Sequence, residues 1–223
     1  MMLKRPHWLG IAAAFAAAWN APAQSMQVKD LGVGKLLVCP RKAPDPSFAG
    51  TVILLVQLDR DSALGLMVNR RTKTPISRAL ADWKPARGKT DPVYMGGPVE
   101  LDGVMALLRA DAKPSEAAPV LGDIYVAASR TVVEKALTAG AGPGGFRLYL
   151  GYCGWGPGQL QSEVALGAWY IFSGNDRLVF DSDPDSLWTR LIALAEDHVA
   201  RGREPARGAC CLAMWNQPGP TRR

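Results

Sequence analysis

The sequence predicts an α+β fold: a bent or coiled, mostly antiparallel sheet with about four helices. Three observations carry that prediction. Apolar strand-like runs follow one another at residues 35–39, 51–58 and 63–68, without the strict strand–helix alternation that marks a parallel sheet. Helical patterns are few and unevenly spaced, at 74–83, 130–139, 159–166 and from the acidic turn 181–185 to about 199. Glycine-dense turns separate these elements, and glycine at that density points to positive φ or very close main-chain approach.

In chain order, residues 35–39 form a short apolar strand stopped by Pro40. Residues 51–58 are a nearly continuous run of Val, Ile and Leu, as expected of a strand buried on both faces. Asp59 to Ser62 make a turn, and residues 63–68 return as the second arm of a hairpin ending at Asn69. Thr74 is a candidate N-cap for the helix at 74–83, with Ile76, Ala79, Leu80 and Trp83 on one face. Brief strands are expected at 93–95, 103–108 and 123–127. Ser129 is placed as the cap of the helix at 130–139, which the glycines of 140–145 stop. An aromatic strand at 146–152 enters the turn Gly154, Gly156, Pro157, Gly158. That turn leads into the helix at 159–166, with Pro157 suited to its first turn, and then a strand at 168–172. A last strand is expected at 177–180 and a long helix after Pro184.

The ends of the chain read differently from its middle. Lys4 and Arg5, an alanine-rich apolar run, and Ala21, Pro22 and Ala23 form the pattern of a secretory signal peptide at 1–23. Residues 24–200 are then a single domain, and 201–223 a basic, disordered tail. Of 26 Lys and Arg and 20 Asp and Glu, two bases precede residue 24, and five bases and one acid follow residue 200; the body keeps 19 of each. A neutral body argues against a nucleic-acid footprint despite a pI of about 9.3. One basic patch runs through 70–89, with Arg70, Arg71, Lys73, Arg78, Lys84, Arg87 and Lys89; it reads as a solvated face or as a polyanion contact. The cysteines (Cys39, Cys153, Cys210, Cys211) have no zinc-like spacing, and His198 is the one histidine after residue 23, so no metal site or cofactor is expected.

Four motifs, residues 34–38 with Pro40, 63–69, 93–99 and 151–169, carry a resemblance to the YqgE/AlgH family of bacterial proteins. The resemblance runs from about 34 to 199. It implies an α+β fold with coiled, branched sheets and a transcriptional-regulator label from alginate control, with no agreed catalytic residues. The family is typically cytosolic, so the export signal and the basic tail are additions. Cys39 and Cys153 stand where it has small residues.

Without a histidine base, a Ser-His-Asp or Cys-His centre has no support. Cys153 reads as a buried small residue, as half of a disulfide with Cys39, or as a nucleophile. Glu163 reads as satisfying loop amides, as facing solvent, or as a general base. Asn69, Gly96, Gly97, Gly156, Gly158, Gln159 and Glu163 are the candidate ligand-binding residues, with the helix start after Pro157 as an anion-holding end. The leading expectation is a non-enzymatic, exported binding or regulatory protein, periplasmic or secreted, with an unknown protein or small-molecule partner. The alternatives are a cytosolic regulator that contacts nucleic acid through 70–89, and a ligand-processing enzyme around Cys153 and Glu163.

Overall fold

The computed structural model describes residues 24, 25, 27–43 and 45–200. The expected signal at 1–23 and the tail with Cys210 and Cys211 lie outside the described residues.

The strands are β1 (Gln24–Ser25), β2 (Lys35–Val38), β3 (Val52–Leu58), β4 (Ala63–Met67), β5 (Arg71–Pro75), β6 (Pro92–Met95), β7 (Val99–Arg109), β8 (Ala118–Leu121), β9 (Ile124–Ala127), β10 (Phe146–Trp155) and β11 (Tyr170–Ser173). The helices are α1 (Ile76–Ala79), α2 (Arg130–Ala139), α3 (Gln159–Ala165), α4 (Asp176–Val179) and α5 (Pro184–Ala200). The strands join in the order β1-β11-β2-β3-β4-β10-β7-β9-β8, with β6 branching onto β10 and β5 onto β6. Among the described pairings only β6–β10 is parallel. The fold is therefore α+β with a mostly antiparallel, branched sheet.

The run at 51–58 is buried on both faces because alternate residues feed two cores. Leu54 and Val56 pack with Leu187 and Leu191 of α5. Ile53 and Leu55 pack with Leu160 and Val164 of α3 and with Trp169. A third core forms under α2, where Val133 and Leu137 meet Ala106, Leu108 and Leu148.

β10 links the two halves of the sheet. Its first part pairs with β7 and β6, and its last residues, Cys153 to Trp155, pair with β4. Between them the register shifts at Gly151, which takes φ 69°. Here the chain after β6 crosses β10. Gly96 N–H donates to Leu150 O at 2.8 Å, and Gly96 O accepts from Met67 N–H at 2.9 Å. A Cβ on Gly96 would lie 2.1 Å from Gly151 O, and one on Gly97 2.1 Å from the Tyr152 carbonyl carbon. Side chains are excluded because main chain lies against main chain.

Several expectations are corrected. The helix at 74–83 shrinks to the single turn α1: Thr74 belongs to β5, where Thr72 Oγ1 is tied to Val93 O, and Pro75 takes the cap position with extended backbone. The strand at 177–180 is helix α4 instead, because the Asn175 side chain accepts from Leu178 N–H and starts a helical turn. Ser129 takes the N-cap position of α2 as expected, but caps with its backbone carbonyl alone, since its hydroxyl donates to Glu116. Pro157 lies before the αL residue Gly158 that starts α3, not within the helix. β8, unexpected from sequence, completes one edge.

Candidate functional site

The glycine turn closes on a buried carboxylate. Glu163, 7% exposed, sits on α3 between Trp155 at the end of β10 and Trp169 before β11. Its Oε2 accepts from both indole N–H groups at 2.9 Å, and its Oε1 accepts from Gln159 Nε2 at 2.9 Å. Gln159 Oε1 in turn accepts from Gly156 N–H at 3.1 Å, so the turn, the helix and both tryptophans form one network. The indole rings meet edge to face, with centroids 6.3 Å apart. Every group at Glu163 donates to it, which is the arrangement that satisfies a buried carboxylate.

This geometry corrects the sequence reading of the turn. Around this turn the glycines pressed against main chain are Gly96, Gly97 and Gly151, whereas in the dense motif Gly154 meets only the Tyr152 ring, at 3.2 Å. Gly158 needs its φ of 69° but has nothing within 4 Å of a Cβ, and Gly156 meets only Gln159 Oε1 at 4.0 Å. Gly156, Gly158 and Gln159 face solvent, while Gly96 and Gly97 are buried. α3 is one short helix whose first amide, Gln159 N–H, already donates to Gly156 O, while the Gly156 amide ahead of it is taken by Gln159 Oε1. Asn69 is buried and stitches β3 to the preceding loop: Oδ1 accepts from Val52 N–H at 2.8 Å and Nδ2 donates to Gly50 O at 2.9 Å.

The expected Cys39–Cys153 disulfide is not formed. Both are free, buried thiols in the same apolar cluster. Burial pushes Cys39 up from 9.0 to about 12, against a smaller lowering by Arg70. Burial pushes Cys153 up as well, and its thiol donates to Gly96 O at 3.5 Å. A thiol held protonated and sealed from solvent is a poor nucleophile.

A second polar centre lies at the other end of β10. Arg147 is 4% exposed. Its Nη1 donates to Val179 O at 3.0 Å and reaches Val68 O at 3.5 Å, and its Nη2 donates to Asp181 O. The guanidinium carbon lies 4.9 Å from the Tyr94 ring centre and 5.6 Å from that of Phe180. Among the described residues no carboxylate forms an ion pair with it: Asp181 is held by Arg190, and Asp185 by Arg71. Arg147 Nε and the hydroxyl of Tyr149, two residues on, are both buried, and among the described residues neither makes a well-formed hydrogen bond, although the phenol lies close enough to Arg147 for the two to interact. Burial pushes the Tyr149 phenol up, and the Arg147 charge opposes that rise. A cavity of about 270 Å³ adjoins this centre, with Arg147, Tyr94 and Phe180 in its wall. None of the candidate ligand-binding residues from the sequence lines it; of the basic patch at 70–89, Arg71 does. Sequence reasoning missed Arg147; the available signal was a charged residue inside the apolar strand 146–150.

A family model described as AlgH-like matches residues 36–200. The chain belongs to the AlgH-like family. A UPF0301 protein of Caulobacter vibrioides is 34% identical over 176 residues, covering 75% of this chain and 90% of that protein. A UPF0301 protein of Streptomyces avermitilis is 32% identical over 176 residues, covering 75% of this chain and 88% of that one. The solution structure of the AlgH protein from Pseudomonas aeruginosa is similar at TM-score 0.59 and 32% identity, covering 74% of this chain and 86% of that chain. A crystal structure of a Corynebacterium diphtheriae protein, at TM-score 0.57 and 20% identity, covers 80% of this chain and 91% of that one and shares the fold.

Proposed function

We propose that this AlgH-like chain is a non-catalytic binding or regulatory protein that acts after export. One observation carries the non-catalytic part: Glu163 and Cys153, the groups best placed for chemistry at the glycine turn, are both consumed by structure. The carboxylate accepts three donors, and the thiol is buried with its pKa raised. The reading as a ligand-processing enzyme around these two residues therefore has no support from the geometry. Export rests on the signal pattern at 1–23.

The alternative, a cytosolic regulator on nucleic acid, would use the patch at 70–89. Two of its cations have internal partners: Arg70 donates to Ser47 O and Ala49 O, and Arg71 pairs with Asp185. Lys73, Arg78, Lys84 and Arg87 are exposed, as on a solvated face.

N-terminal sequencing of the protein recovered from cells tests the compartment. A start at Gln24 is expected; an intact Met1 in the cytosolic fraction overturns export. Assays with p-nitrophenyl acetate and p-nitrophenyl phosphate test the chemistry. Rates at background are expected, whereas turnover that disappears in Cys153→Ala or Glu163→Gln overturns the non-catalytic reading.

A further inference from the structure

We propose that the cavity beside Arg147 is a binding site for a small monoanionic carboxylate with an aromatic or apolar body. The inference rests on the reading of the chain as a binding protein and names the site and the ligand class.

The charge comes first. A buried cation is costly unless an anion neutralises it. Arg147 has five N–H donors, and the carbonyls of Val68, Val179 and Asp181 accept from them in three contacts. Those carbonyls satisfy hydrogen bonds without cancelling the charge, Nε–H has no well-formed acceptor among the described residues, and the Tyr149 phenol nearby is held neutral by burial and cancels nothing either. The aromatic rings of Tyr94 and Phe180 add cation–π attraction, again without neutralising it.

The cavity walls select the rest of the ligand. Pro92, Tyr94, Pro143, Phe180 and Pro184 give an apolar lining. The volume of about 270 Å³ holds roughly nine water-sized groups at about 30 Å³ each, which suits one aromatic ring with a carboxylate. Arg71 adds a second cation, held to Asp185 by an exposed pair of the kind that exchanges partners readily. Two acids also line the cavity. Asp181 is engaged by Arg190; Asp91 forms no ion pair among the described residues and opposes a second negative charge on the ligand. A monoanion is favoured over a dianion such as phosphate.

The test is calorimetric titration of the full chain with sodium benzoate, read in parallel by NMR shifts of Tyr94, Gly144 and Phe180. Saturable binding is expected, with benzamide and benzylamine weaker by about tenfold or more, because a charge-assisted contact is lost. Inorganic phosphate is expected to be weaker than benzoate. Gly144 lines the cavity, has no positive φ, and a Cβ there meets nothing within 4 Å, so Gly144→Leu adds bulk at the cavity wall without strain. That variant is expected to keep its Tm and lose benzoate binding. Arg147→Met is expected to lose it too, and Gly144→Leu keeps the test valid if Arg147→Met does not fold. No saturable benzoate binding, benzamide binding as tight as benzoate, or binding that survives Gly144→Leu overturns the site and leaves the non-catalytic reading standing. Conversion of benzoate to a product overturns that reading and leaves the site standing.

Discussion

A buried charged group sits at each end of β10, Arg147 on the strand and Glu163 on α3 against it, and the two solve the same problem differently. At the C-terminal end Glu163 is met by two indoles and an amide, and nothing polar is left over. At the N-terminal end Arg147 is met by three neutral carbonyls; among the described residues its Nε and the Tyr149 hydroxyl make no well-formed hydrogen bond, and a cavity lies alongside. The closed network behaves as architecture, because a fully satisfied buried polar group specifies one packing. The open one holds an unspent charge against a void, which is the arrangement expected of a ligand site. The motif that looks most like a functional loop in sequence is the closed end.

Between the two ends stands the main-chain crossing, so the largest effect is expected there. Gly97→Ala would set a Cβ 2.1 Å from the Tyr152 carbonyl carbon, where only backbone can yield. A loss of more than about 4 kcal/mol in urea unfolding is expected. A loss below about 1 kcal/mol would show that the crossing is loose and the two ends are not held apart by it. At the closed end, Glu163→Leu strands two indole N–H groups and is expected to cost about 3 kcal/mol, with Glu163→Gln costing less because it keeps one acceptor. Equal stability of all three proteins would remove the closed network from the account.

The thiols of the same region give a pH-dependent signature. Cys39 is raised from 9.0 to about 12 and Cys153 is raised as well, both by burial. Their contribution is fully present below the unfolded value of 9.0. It is lost as pH rises toward the folded value, because the unfolded chain then binds fewer protons, at about 1.4 kcal/mol per pH unit for each thiol. Wild-type stability above about pH 9 is expected to fall more steeply than that of a Cys39→Ala, Cys153→Ala protein; parallel curves would mean that the thiols are not sealed. The smallest effects belong to the dense motif itself. Gly158→Ala is expected to cost about 1 kcal/mol for its left-handed φ, and Gly156→Ala close to nothing. A Gly156→Ala cost as large as that of Gly97→Ala would return the crowding to the turn.

What the sequence makes legible follows from how local the cause is. The strands at 35–38, 52–58 and 63–67 are runs of β-branched and aliphatic residues and are read correctly, including burial of β3 on both faces. The family is legible because its motifs are contiguous. Residues 177–180 are misread because their apolar content suggests a strand, while one Asn175 cap decides for helix. The need for glycine near 154–158 is legible as an unusual backbone. The crowding of Gly96, Gly97 and Gly151 depends on the chain after β6 crossing β10, a contact between segments far apart in the chain. Glu163 is singled out from sequence, but its partners Trp155, at the end of β10, and Trp169, just before β11, are aimed at one carboxylate only by the fold. Arg147 is hidden for the same reason: its neighbours Tyr94, Phe180 and Asp181 come from distant elements.

The most direct test sets the two buried charges side by side in ligand-free protein. Urea unfolding of Glu163→Leu and Arg147→Met compares a charge that is fully partnered with one that is not. Replacing Arg147 frees three carbonyls but also removes an unneutralised buried charge, so a loss of about 1 kcal/mol is expected, well under that of Glu163→Leu. An Arg147→Met loss equal to or greater than the Glu163→Leu loss would show that Arg147 is structural cement like Glu163, and the distinction between the two ends of β10 would fall.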